Sequence, residues 1–444
     1  MLTESQAKKL TAKILAKSTA DEARVRIGGG WTTHVRFARN SPSTSGNYSN
    51  PAISVRSTFG KRSASASINQ FDDASIAAVI ARSEALAKTA PEDREYMPPL
   101  TAQTYQAVNA AYIDTTPEAA ADKMTDHVAH CIKDASGKGL LAAGFAQARA
   151  GYECVANSKG MFAYHKSTTT TLSETARTKD GTGSGWASRA ANSVQRIDAA
   201  GLSKAATLKA LSSVKPKPLA PGTYTTILEP ACTASLIGIM RWSMSARSAH
   251  EGRSYFSAPN GGTRVGQQLF PKSVNIYSDP NSPLAPSRPW AGSGLPVRRR
   301  DWIKEGAVAN LTYGRYWAQK KGVAPIPSGT NLIMDGGSGS VDDLIKSTKR
   351  GVLVTSLWYI RGVDPRSMLY TGLTRDGVFW IEDGKISHPV TNFRWNDSPI
   401  SVLKNVEAMS AAVRVPPRGS TSTSVVAPAL KVKKFTFSSV SDAV

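Results

Sequence analysis

His250 and Glu251 begin a spacing that could do hydrolytic chemistry. In H-E-x-x-H, two histidines on one helix face bind zinc, and the glutamate activates the bound water. Here the chain continues Gly252-Arg253-Ser254-Tyr255, so no second histidine arrives at the four- or five-residue spacing. His127, His130 and Cys131 fall within one helical stretch, and positions three apart share a face. That pair is an incomplete ligand set, and a metal there is not favoured. Ser, His and Asp are present without a G-x-S-x-G elbow or another nucleophile signature. Cys131, Cys154 and Cys232 are scattered with no C-x-x-C, so buried thiols are expected rather than a disulfide framework.

These residues need elements to hold them. A length of 444 residues suggests two to three domains, and 41% hydrophobic residues suffice for a sizeable core. The net charge of +22 is diffuse, with tight clusters only at Arg298–Arg300 and Lys431–Lys434. Without a zinc finger, an RRM signature or an aromatic-interleaved basic stripe, no nucleic-acid groove is expected. A solvated basic surface, or an acidic protein partner steered by complementary charge, is. No apolar run of about 18 residues is present, so no membrane span is expected. Met1–Leu10 lacks the apolar stretch of a signal peptide, which makes a cytoplasmic location the expectation.

Apolar periodicity predicts helices over 4–19, with Thr3 and Gln6 as a capping pair, and over 73–88, with Ile76, Val79, Ile80 and Leu86 inside. Further helices are expected over 118–138, 202–211, 233–249 and 398–410, and a short one after Ser340 that ends near Gly351. Alternation predicts strands at 24–27 and 34–37, with Gly28-Gly29-Gly30 as the turn between them, and at many later sites. Lys215–Pro221, with three prolines in seven residues, reads as a linker. The expected class is α+β: an N-terminal αβ domain over 1–214 and a larger domain over 222–444 with an extended, largely antiparallel sheet. Beyond Pro416 a Ser/Thr-rich tail is expected, with one strand-like run, Lys434-Phe435-Thr436-Phe437.

An ordered series of segments resembles the TldD/PmbA family, also called TldD/TldE or modulator of gyrase. It includes Gly252-Arg-Ser-Tyr-Phe-Ser257, Arg264-Val-Gly-Gln267, Val274-Asn-Ile-Tyr277 and Thr330-Asn-Leu-Ile-Met-Asp-Gly-Gly337. Arg36-Phe-Ala-Arg-Asn40 and Ala156-Asn-Ser-Lys-Gly160 extend the likeness to the first half, more loosely. The resemblance implies two branches. One carries H-E-x-x-x-H on the helix before the Ser-x-Phe-Ser segment, completed by a later cysteine; the other lacks the motif and pairs with the first. Counted back from Ser254-Tyr255-Phe256, the motif falls on Ile237, Gly238 and Trp242, none of which ligates zinc or moves a proton. No histidine lies between His165 and His250, and no cysteine follows Cys232.

The resemblance therefore implies a TldE-like chain with no catalytic residue, metal ligand or cofactor of its own. Its expected partner is an H-E-x-x-x-H protein of the TldD type that supplies zinc, and its expected substrate is an unfolded or modified peptide, natural-product precursors included. Arg241, Trp242 and His250 are the candidate partner- or peptide-binding residues. Trp242 is expected either to fill the space of the lost metal site or to be core. Arg241 is expected to offer its fork to a carboxylate or to be solvated. His250, at the end of the same helix, is expected to face the helix dipole or a partner as a cation would. The alternative is a stand-alone peptide-binding or scaffold protein without protease activity.

Overall fold

The computed structural model describes residues 1–419 and 424–441. It is a mixed α+β structure with three sheets among the described residues. The first sheet is built wholly from residues 22–191, in the order Arg62–Ile68, Ala52–Phe59, Glu22–Ala38, Leu141–Asn157, Phe162–Arg177, Ser184–Ala191. Ser41–Ser49 pairs with the far half of Glu22–Ala38 and is an almost fully exposed edge.

Gly28, Gly29 and Gly30 do not make a turn. They run straight through the 17-residue strand Glu22–Ala38, which pairs along its length with Leu141–Asn157. A Cβ on Gly30, at φ +151°, would lie 2.2 Å from the Ala150 carbonyl oxygen, so glycine here permits close strand approach rather than reversal.

Helices cover this sheet. Glu4–Lys17 starts on the expected capping box, in which Thr3 Oγ1 accepts from the Gln6 N–H and Gln6 Oε1 accepts from the Thr3 N–H. Asp73–Thr89 buries Ile76, Val79 and Ile80 against the sheet, with Asp72 as its N-cap. Leu86 is 47% exposed: it lies on the outer edge of that stripe and not in the core. Thr115–Gly137 and Ala199–Ser212 pack on the other region of the sheet through Met124, Val128, Leu202 and Ala206.

The second half forms two more sheets. The larger has nine strands, with main order Leu357–Asp364, Leu369–Thr374, Phe393–Asp397, Leu430–Val440, Gly222–Leu228, Arg350–Val354, Val378–Glu382, Lys385–Pro389. Its pairs are antiparallel except Gly222–Leu228 with Arg350–Val354. Three departures from the sequence reading sit here. Lys434–Phe437 belongs to no tail: it is part of an interior strand whose Phe435 and Phe437 are buried. The helix expected over 398–410 is short, Pro399–Lys404, and then turns into the strand Val406–Met409, because pairing with Leu430–Val440 captures that run. Gly351 caps no helix: the helix Val341–Lys346 ends earlier, and Gly351 lies inside a strand.

The smaller sheet contains Ile276–Ser278, Arg300–Lys304 and Leu332–Met334 among its six strands. The helix Pro230–Ser243 packs between the two sheets through Leu236, Ile237 and Met240, in one core with Trp302, Trp395 and Phe437. Lys217, in the proline-rich stretch, is held by backbone hydrogen bonds to Pro389 and Thr391.

Candidate functional site

The helix Pro230–Ser243 floors a cleft of about 790 Å³. Positions four apart stack on one helix face. Ala234, Gly238 and Trp242 therefore line the cleft together, with Ser235, Ile239 and Arg241 beside them. Ile237 points the opposite way and is fully buried in the core. A Cβ built on Gly238 would meet nothing within 4 Å, so this face opens onto space.

One wall is the strand Leu357–Asp364, the edge of the nine-stranded sheet. Its pairing with Leu369–Thr374 slips between Trp358 and Arg361, a bulge that leaves Tyr359 at φ +53°. A bulky residue in the left-handed region is strained, and bulges re-aim side chains. Here the result is a Tyr359 ring 59% exposed, with the Arg361 guanidinium stacked 4.2 Å from its centroid.

The opposite wall is Gly329–Leu332. Arg241 Nη2 donates to the Gly329 carbonyl and ties this wall to the floor. A Cβ on Gly329 would fall 2.0 Å from Ser278 Oγ, so only glycine allows the approach. Asn331 pins the next position: its Nδ2 donates to the Asp279 and Ala285 carbonyls at 2.6 and 2.7 Å. At the far end, Arg418 pairs with the buried carboxylate of Asp376, which also accepts from Ser184 Oγ at 2.6 Å. Arg418 also lies over the Trp358 ring at 5.5 Å.

The electrostatics are one-sided. The lining carries Arg241, Arg361 and Arg418 and no Asp or Glu among the described residues. Burial pushes the Arg241 guanidinium below its ordinary range, and its Nε is buried without a hydrogen-bond partner.

The sequence expectations for the helix invert. Trp242 neither fills a lost site nor joins the core: its indole is 84% exposed. Arg241 is not solvated; its side chain is spent on Gly329. The cause is phase. Trp242 continues the Ala234–Gly238 face, and Arg241 points across to the neighbouring wall.

His250 lies outside the cleft lining and on a different helix. The run expected over 233–249 breaks at Met244-Ser245, where the Thr312 N–H donates to the Met244 carbonyl and the Ala246 N–H to the Thr312 carbonyl. His250 then packs between Tyr313 and Trp317, ring centroids 6.0 and 5.9 Å away, with Nδ1 2.7 Å from the Ala246 carbonyl. The structure thus brings Arg241 and Trp242 together and leaves His250 apart. Trp358, Tyr359, Arg361 and Arg418 are cleft residues the sequence reading missed. Adjacent Trp358-Tyr359 ahead of Arg361 was a usable signal; nothing local marked Arg418.

A zinc site does not fit these side chains. Ile237 is apolar and turned inward, Gly238 has no side chain, and an indole offers only a donor N–H. Cys232 on the same helix is fully buried, and burial pushes its thiol upward, away from the thiolate a metal needs. Elsewhere, His127 Nε2 sits 3.3 Å from the Val194 carbonyl and Cys131 is buried. Among the described residues no three His, Cys, Asp or Glu gather in a metal-holding group.

Two family models match the chain: the PmbA/TldA metallopeptidase C-terminal domain over residues 221–439, and PmbA/TldA metallopeptidase domain 1 over 23–87. Together they cover more than half of it. The chain belongs to the PmbA/TldD metallopeptidase family. The fold agrees. The structure of TldE from Thermococcus kodakarensis superposes with a TM-score of 0.84 at 18% identity, covering 97% of this chain and 99% of that one. A proposed modulator of a DNA gyrase from Thermotoga maritima gives 0.83 at 16% identity, covering 97% and 100%. A protein of Methanothermobacter thermautotrophicus described as a metalloprotease is 24% identical over 169 residues, which are 34% of this chain and 36% of that relative. The matched stretch thus spans about a third of the relative's length. No described helix of this family member is long and apolar enough to cross a membrane.

Proposed function

We propose that this chain is the non-catalytic, TldE-like subunit of a heteromeric metallopeptidase. In this reading an H-E-x-x-x-H partner of the TldD type supplies the zinc and the general base, and this chain holds the peptide. The observation that carries the reading is a cleft kept open over a helix face without chemistry. Gly238 and Trp242 face the opening where the resemblance would put a base and a ligand, and Ile237 is turned into the core. The sheet edge beside it supports the peptide role. An extended segment can pair its main chain with such an edge whatever its side chains, which suits unfolded substrates. The likeness to the Thermococcus protein named TldE points the same way.

No step is assigned to a metal here, because this chain's residues do not fit one. What they do is bind and orient: Arg241 fixes the wall, and Trp242, Trp358 and Tyr359 offer apolar and aromatic surface to a strand-like ligand.

The test is co-expression with candidate H-E-x-x-x-H paralogues. Pull-down, zinc analysis and cleavage of an unfolded peptide are then compared for each chain alone and for the complex. The expected result is a stable heteromer with zinc in the partner and chelator-sensitive cleavage by the complex alone. Chelator-sensitive cleavage by this chain alone would overturn the reading. Peptide binding with no paralogue captured would instead favour a stand-alone peptide-binding or scaffold protein.

A further inference from the structure

The cleft lining carries three arginines and no carboxylate among the described residues, and the three arginines are not equivalent. Arg241 is committed to the Gly329 carbonyl, and Arg418 to Asp376. Arg361 makes no ion pair among the described residues. It stacks on Tyr359, and its Nη1 donates at 2.9 Å to the carbonyl of its own neighbour, Ile360. Its side chain is exposed on the edge strand, directly after the bulge.

The bulge adds a second observation. Tyr359 at φ +53° is a residue type that pays for this conformation, and the ring it displays is the one that holds Arg361. Trp242, exposed on the floor, and Trp358, on the same wall as Arg361, line the same cleft. A planar guanidinium fixed on an aromatic ring presents its remaining donors in a fork that matches a carboxylate.

We infer that this cleft selects peptides that carry a carboxylate, an acidic side chain or a free C-terminus, and that Arg361 on its Tyr359 platform is the group that meets it. The inference rests on the peptide-holding role proposed above and names the substrate class. A single-stranded nucleic acid would use aromatics and cations too. It needs a charged groove tracking successive phosphates, however, and here one uncommitted arginine stands beside a strand edge suited to a peptide main chain.

The experiment uses the full chain, alone and as its complex, with fluorescein-labelled decapeptides that differ only at two positions: Glu, Gln or Lys. Each is made as a free acid and as an amide, and binding is read by anisotropy. Because the whole molecule is strongly basic, Lys9→Ala, an exposed change on the N-terminal helix, controls for diffuse attraction. The Glu peptide should bind about tenfold more tightly than the Gln peptide, the size of one charge-assisted contact. Arg361→Ala should erase that difference with the melting temperature unchanged, Arg361→Lys should restore part of it, and Lys9→Ala should keep it. If the carboxylate is instead a C-terminus, the Gln free acid should outbind its amide, again only with Arg361 present.

Equal binding of Glu, Gln and Lys peptides, together with equal binding of each free acid and its amide, would overturn the carboxylate inference and leave the peptide-holding role standing. A preference that survives Arg361→Ala, or displacement of peptide by oligothymidylate, would overturn it as well. Failure of every peptide to bind either the chain or the complex would sink the underlying role.

Discussion

Trp242→Ala should leave the melting temperature nearly unchanged, because an indole 84% exposed buries little that truncation could remove. Arg241→Ala should cost about 1–2 kcal/mol, because it strips the Gly329 carbonyl of its donor and loosens one wall. Thermal unfolding of the two variants decides the matter, and the reverse order would contradict the placement of both side chains. A second residue carries a pH signature. His165 is buried against Trp290 with Nε2 unpartnered, and burial holds its pKa down at about 4. The folded protein therefore keeps it neutral, whereas the unfolded chain takes a proton near pH 6.5. Below that pH the unfolded state binds more protons, so stability should fall as pH drops from 6.5 towards 4, by up to about 3 kcal/mol. His165→Gln should flatten that part of a stability profile measured by urea unfolding; an unaltered slope would rule the group out.

At the scale of the element, the edge strand Leu357–Asp364 holds a conflict between stability and display. Tyr359→Gly relieves a left-handed residue that buries little, so it should raise stability by about 1 kcal/mol. The same change removes the platform under Arg361 and should weaken peptide binding several-fold. Denaturant midpoints and anisotropy on one preparation test both halves, and a variant that loses stability would show that the bulge is not strained. The break at Met244-Ser245 belongs to this scale too. Helical periodicity runs through it, with Leu236, Met240 and Met244 all buried, so nothing in the spacing announces it. The backbone bonds to Thr312, far along the chain, make it. The capping box at Thr3 was legible because both partners lie within one turn.

Across the whole molecule, the charge of +22 should act on association more than on affinity at the cleft. Stopped-flow mixing with an acidic metal-bearing partner should give an association rate that falls steeply from low salt to about 0.15 M, where screening sets in within roughly 8 Å. Dissociation should change little. A rate indifferent to salt would show that the basic surface does not steer this partner.

Read alone, the chain determined its family, its mixed α+β class and the lack of ligands at Ile237, Gly238 and Trp242. Each of these is a matter of residue identity in order or of short-range periodicity. It also placed most helices, whose apolar spacing and caps are local. What it left open was every feature set by a distant partner. Gly28–Gly30 became strand because Leu141–Asn157 lies alongside, and Lys434–Phe437 became interior because strands on both sides claim it. The cleft is the clearest case. Its floor, walls and far end come from residues 234–242, 329–332, 357–361, 417–419 and 424–425, and only packing could make Arg361, not Arg241, the exposed cation. A side chain's type is written in the sequence, but the direction it faces depends on what occupies the space around it.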